Sequence, residues 1–76
     1  MMNPAYSERH RLLGINIAYY RNIKGLTQAQ MADILGVEQS HVSRMERAAI
    51  GISLERLYQI ADALDVEPFL LLKPKD

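Results

Sequence analysis

From Ser7 to Val66 the chain has no proline, and its glycines fall at positions 14, 25, 36 and 51. A proline-free stretch can run as helix, and glycine at 25, 36 and 51 supplies the stops between helices. Between those stops the apolar residues recur at helical spacing. A first helix is expected over about Ser7–Lys24, capped by Ser7, with Leu13, Ile17 and Tyr20 toward the core. Gly25 follows its last turn, where a left-handed residue is commonly needed. A second helix starts at Thr27, buries Met31, Ala32 and Leu35, and stops at Gly36. A third covers about Gln39–Arg47 with Val42 and Met45 inward. Ser53 caps a fourth, in which Leu54, Leu57, Ile60, Ala61 and Leu64 form a buried stripe. Pro68 suits the first position of a short fifth helix that contains Phe69–Leu72. No segment alternates with period two for long enough to be a strand, so the expected class is all-α, a compact bundle of five helices.

A length of 76 residues bounds the chain to one domain, 1–76, with an ordered part expected at about 7–72. With no cysteine there is no disulfide and no cysteine-based metal site, so stability has to come from packing. The longest apolar run, Phe69–Leu72, is far too short to cross a bilayer, and the opening "MMNPAYSERH" lacks the apolar stretch of a secretory signal. A cytoplasmic protein with no membrane role is expected. His10 and His41 are far apart in sequence, and Glu38 and His41 share a helix face without a third ligand. No base–nucleophile–orienter arrangement is recognisable. The expectation is therefore no catalytic residue, no metal, no cofactor and no enzyme activity. Net charge is zero but unevenly spread. Residues 1–24 hold Arg9, Arg11, Arg21 and Lys24 against Glu8, whereas residues 53–76 hold Glu55, Asp62, Asp65, Glu67 and Asp76 against Arg56, Lys73 and Lys75. Such asymmetry can present one positive face.

The stretch "LGVEQSHVSRMER", residues 35–47, places a glycine turn between two short helices. Two helices joined this way can cross steeply, provided the side chain at their closest approach is small. Ala32 occupies that place, Gly36 takes the turn, and Val37 plugs the gap beneath it. Once Val42 and Met45 point inward, Gln39, Ser40, Ser43 and Arg44 are left on the outer face.

Residues 28–47, "QAQMADILGVEQSHVSRMER", resemble the helix-turn-helix of the Cro/repressor (xenobiotic-response-element) family of bacterial and phage regulators. The flanking "YYRNIKGLTQ" and "ISLERLYQIADALDV" resemble it too, so the likeness spans roughly residues 12–72. It implies a lambda-repressor-like domain that binds double-stranded DNA and regulates transcription, as a repressor, with the third helix in the major groove. By this resemblance Gln39, Ser40, Ser43 and Arg44 read bases. Glutamine can pair bidentately with adenine and arginine with guanine. Thr27, Gln28, His41 and Arg47 would contact phosphate, helped by the positive end of the second helix. Arg21 and Glu46 match positions that form a structural ion pair between the first helix and the recognition helix.

The loop "RAAIGISL" departs from the family: Ala48 stands where glycine is frequent, and Ala49 and Ile50 replace basic residues. Ile50 and Ile52 could pack inward or meet another protein. Glu38 replaces the usual Ser, Thr or Asp cap of the third helix. The apolar loop and the zero net charge leave a second class open, a protein-interaction module or the antitoxin of a toxin–antitoxin pair. A homodimer on a pseudo-palindromic operator is expected, its interface formed by Phe69, Leu70, Leu71 and Leu72, because a short helix cannot turn all four inward.

Overall fold

The computed structural model describes residues 3–75, so Met1, Met2 and Asp76, the last counted above among the C-terminal acids, lie outside the described residues. Four α-helices follow in order: α1 (Ser7–Lys24), α2 (Gln28–Leu35), α3 (Gln39–Glu46) and α4 (Leu54–Leu64). A 3₁₀ turn precedes them at Pro4–Tyr6 and another follows at Pro68–Leu71. The expected fifth helix is thus a 3₁₀ turn, and the bundle has four α-helices. Four apolar residues after Pro68 are too few to repay a new α-helical nucleus, whereas a single 3₁₀ turn needs only i to i+3 bonds.

Local chemistry sets the helix ends. The Thr27 hydroxyl accepts from the Gln30 N–H at 3.0 Å, and the Gln30 side chain accepts from the Thr27 N–H at 2.8 Å, a reciprocal capping box. Ser53 Oγ accepts from the Arg56 N–H at 3.1 Å at the start of α4. Gly36 adopts φ 72°, which lets the Val37 N–H reach back to the Ala32 carbonyl at 3.0 Å and turn the chain sharply into α3. Ser7 does not cap α1. Its hydroxyl donates to the Pro4 carbonyl at 3.1 Å, and Tyr6 precedes the helix, because the 3₁₀ turn delivers the chain already coiled. Arg47 closes α3 rather than extending it, and Glu38 makes no side-chain hydrogen bond to the helix it precedes.

One core joins every α-helix. Leu13 and Ile17, Met31 and Ala32, Val42 and Met45, and Leu57, Ile60, Ala61 and Leu64 are buried together, with Leu71 from the C-terminal turn. Tyr20, Leu35, Val37, Ile50 and Ile52 are partly buried against it. Two expectations need correction. Leu54 is 63% exposed, because the first turn of α4 projects past the end of the core. Leu71 is completely buried, so it has no surface to offer a second copy, while Phe69 and Leu72 on either side stay more than half exposed. A 3₁₀ turn has three residues per turn, which sends one leucine inward and leaves its neighbours outside.

Two contacts hold the ends of the bundle. Gly14 lies mid-helix where α1 meets the end of α3. A Cβ there would overlap the Glu46 carbonyl oxygen and stand 2.9 Å from the Met45 carbonyl oxygen. Asn16 is fully buried, and its Nδ2 donates to the carbonyls of Leu71 at 3.0 Å and Lys73 at 2.9 Å. Those carbonyls end a turn that has no further helix to satisfy them, so the Asn16 amide ties the C-terminal segment to α1.

After α3 the chain passes through Ala48 at φ 57°, a left-handed conformation that costs an L-residue roughly 1–2 kcal/mol. Replacing Ala48 with glycine relieves that cost, offset by the greater freedom of glycine in the unfolded chain. Ala48→Gly should raise stability by about 0.5–1 kcal/mol, read as a rise of a few degrees in Tm. A lower Tm would show that the loop conformation is not strained.

Candidate nucleic-acid interface

The face in question is built by α2 and α3 and fixed from below by α1. Val42 and Met45 are buried, which fixes the rotation of α3 about its axis. Gln39, Ser40 and Arg44 are consequently exposed on its far side, and Ser43 is half-buried beside them. Among the described residues, the side chains of Gln39, Ser40 and Arg44 form no hydrogen bond or ion pair with the rest of the chain, so their polar groups are available to a ligand. Ser43 differs: its hydroxyl accepts from Arg47 Nε at 3.2 Å, which draws the exposed Arg47 back along the helix. His41 is half-buried in the first turns of α3.

The C-terminal end of α3 carries the anchor. Arg21 Nε donates to Glu46 Oε2 at 2.6 Å, and Arg21 Nη2 donates to Oε1 at 3.2 Å, a bidentate fork. The side chains are 12% and 7% exposed, so the pair is largely withdrawn from water. Arg21 Nη1 also donates to the Leu26 carbonyl at 2.8 Å, just before α2 begins. Gln28 Nε2 donates to Glu46 Oε1 at 2.9 Å. One carboxylate therefore receives α1 through Arg21 and the first residue of α2 through Gln28, and it belongs to α3. The sequence reading treated the ion pair and Gln28 separately, whereas the structure joins them. Gln28 keeps a second amide hydrogen, and Thr27 beside it is exposed with its O–H free to donate. The guanidinium neutralises Glu46, so the carboxylate does not repel an anion approaching the start of α2.

Two residues of the frame, Asn16 and Gly14, are not among the site residues expected from the sequence. Asn16 lies on the same face of α1 as Leu13 and Ile17, and a polar residue in that apolar stripe was the available signal. Gly14, three residues before Ile17, gave another: a mid-helix glycine is costly unless something packs where its side chain would be. Among the described residues, no group of three or more His, Cys, Asp or Glu is placed to hold a metal ion, and no helix is long and apolar enough to cross a membrane.

A double-mutant cycle with Arg21→Ala and Glu46→Ala, read by chemical denaturation, should give a coupling of about 2 kcal/mol, above the 0.2–1 kcal/mol of exposed pairs. A coupling near zero would mean that each side chain is solvated independently.

Comparison with known proteins places this arrangement. Residues 17–71 match the helix-turn-helix family. A helix-turn-helix-type transcriptional regulator of Sinorhizobium fredii (y4dJ) is 35% identical over 69 residues, covering 91% of this chain and 90% of the relative. Control protein C.SmaI of Serratia marcescens is 35% identical over 63 residues, covering 82% of this chain and 75% of the relative. Among solved structures, the restriction-modification controller protein C.AhdI from Aeromonas hydrophila superposes with a TM-score of 0.76 at 34% identity, over 80% of this chain and 92% of the other. The hypothetical transcription factor NHTF from Neisseria gives a TM-score of 0.83 at 30% identity, over 97% of this chain and 85% of the other. With a left-handed glycine turn between α2 and α3, a buried α3 inner face and this extent of similarity, the chain belongs to the Cro/C1-type helix-turn-helix family.

Proposed function

We propose that the chain is a DNA-binding transcriptional regulator, acting as a repressor, that lays α3 in the major groove of double-stranded DNA. The observation that carries this reading is the outer face of α3, where Gln39, Ser40 and Arg44 project with no partner in the described part of the chain. Buried Val42 and Met45, together with the Glu46 anchor, fix the rotation of α3 and so the face on which those side chains project, where they can reach base edges. Arg44 pairs with guanine and Gln39 with adenine, while Ser40 and Ser43 take adjacent positions. Thr27, Gln28, His41 and Arg47 set the register by contacting phosphate, with the first N–H groups of α2 adding their dipole. The names of the relatives, transcriptional regulators and controller proteins, agree with this reading.

A chain of zero net charge cannot rely on the sequence-independent attraction that dominates many DNA complexes. Doubling the contacts answers this. The protein works as a homodimer through the C-terminal turn, where Phe69 is 58% and Leu72 56% exposed and Leu70 lies at the edge. Two protomers then address half-sites of a pseudo-palindromic operator about one helical turn, ~34–36 Å, apart. Repression follows from occupancy of the promoter. The apolar loop gives the interaction-module alternative little support, since Ile50 and Ile52 are packed against the core.

Operator-length duplexes selected from a random pool, then titrated with wild type and Arg44→Ala, test the proposal. The variant should fold normally, lose ~1–3 kcal/mol of specific affinity and relax its preference at one base position per half-site. Unchanged affinity and preference would remove Arg44 from the reading set, and failure to select any sequence would remove the function.

A further inference from the structure

The back of α1 has no role in the core or in the DNA face, yet it is apolar. Ile15, Tyr19 and Ile23 recur every four residues and are 49%, 43% and 64% exposed. Ile17, two residues from both Ile15 and Tyr19, is fully buried, so the stripe points away from the core. It is also turned well away from the edge of α1 that meets α3 through Gly14 and Arg21. Together the three side chains offer on the order of 300 Å² of surface, comparable with the largest apolar patch on a typical monomer, which is often functional.

The centre of the stripe is packed on two sides, and its rim carries more cations than carboxylates. The Tyr19 ring is held edge-on by Tyr20, with ring centroids 5.0 Å apart, and is covered on another side by Lys75 Nζ at 4.7 Å. Lys75 is itself fixed, donating to Asn16 Oδ1 at 3.2 Å. At the C-terminal end of the stripe, Ile23 borders an open, mainly apolar cleft of about 310 Å³ formed with Tyr20, Leu64 and Val66 and edged by Lys24 and Asp65. Arg11 stands one turn before Ile15, and Lys24 follows Ile23. Of the nearby carboxylates, Asp65 Oδ2 lies 3.7 Å from Lys24 Nζ, and Glu8 lies two turns before Ile15.

The geometry points to a second interaction surface, in which Ile15, Tyr19, Ile23 and the adjoining cleft receive an acidic amphipathic helix of a partner protein. Such a helix lays apolar residues at i, i+4 and i+7 along the stripe, seats one of them in the cleft and aligns its carboxylates with Arg11 and Lys75. A second copy of this chain fits less well. Two α1 stripes related by a two-fold axis near Tyr19 would set Lys75 against Lys75, and like charges in contact oppose association. The contact is small, so it is weak and transient.

A synthetic 14-residue amphipathic helical peptide with leucines on one face and glutamates on its flanks is the probe, alongside the same peptide with lysines in place of the glutamates. Each is titrated into the ¹⁵N-labelled full chain, free and bound to DNA. The glutamate peptide should shift the amide signals of Ile15, Tyr19, Ile23 and Lys75 and bind about tenfold more tightly than the lysine peptide. Ile23→Asp should abolish those shifts with thermal unfolding and DNA affinity unchanged, and Lys75→Glu should narrow or reverse the preference between peptides. Three results would overturn the proposal: no α1 shifts with millimolar glutamate peptide, equal binding of both peptides, or loss of self-association in Ile23→Asp, which would assign the stripe to a second copy.

Discussion

The Glu46 carboxylate is the joint on which the α2–α3 side of this molecule depends. α2 and α3 have only eight residues each, too short to be stable helices alone. Their relative placement comes from what they bury and from this one group, which receives both nitrogens of the Arg21 fork and the Gln28 amide. A carboxylate so withdrawn from water is tolerable only with these partners, and each partner comes from a different helix. Displacing Arg21 leaves the Glu46 charge unpaired, and displacing Gln28 leaves one of its oxygens a hydrogen bond short. The cost of desolvating the pair is thus converted into a defined angle between α3 and the rest of the bundle.

Gly14 shows how tightly that joint is set. The backbone of α1 comes within side-chain distance of the Glu46 and Met45 carbonyls, so the end of α3 rests on α1 with nothing between them. At the other side of α1, Asn16 grips the C-terminal turn, and buried Leu71 seals the core beneath it. α1 therefore braces both α3 and the segment proposed to form the dimer.

Much of the scaffold was legible from residues whose effect is local. Thr27, Gly36 and Ser53 mark helix limits because a hydroxyl cap or a left-handed turn depends on the adjacent backbone alone. Leu54 and Leu71 were misplaced for a different reason. Helical periodicity tells which way a residue points along its own axis, but not where the neighbouring helices end, and that decides whether a stripe continues into the core or out of it. Gly14 and Asn16 went unremarked because their partners lie 31 or more residues away in the chain. In the candidate site the outward side chains of α3 could be named once its inner face was known. The sharing of Glu46 between Arg21 and Gln28 could not, since it depends on three helices meeting at one point.

Neutrality overall does not conflict with the proposed DNA-binding face, because much of the negative charge lies elsewhere. Arg44 lies on α3 and Arg47 closes it, against Asp33 on α2 and Glu38 before α3, whereas Asp62, Asp65 and Glu67 gather at the end of α4 and in the loop after it. The most direct test of this account is the set of intermolecular nuclear Overhauser contacts in a complex of the ¹³C,¹⁵N-labelled chain with its selected operator duplex. The account predicts contacts from the Gln39, Ser40 and Arg44 side chains to major-groove base protons, with the Arg21–Glu46–Gln28 contacts intact. Contacts made instead by another face of the bundle, or α3 side chains that meet only the sugar-phosphate backbone, would contradict it.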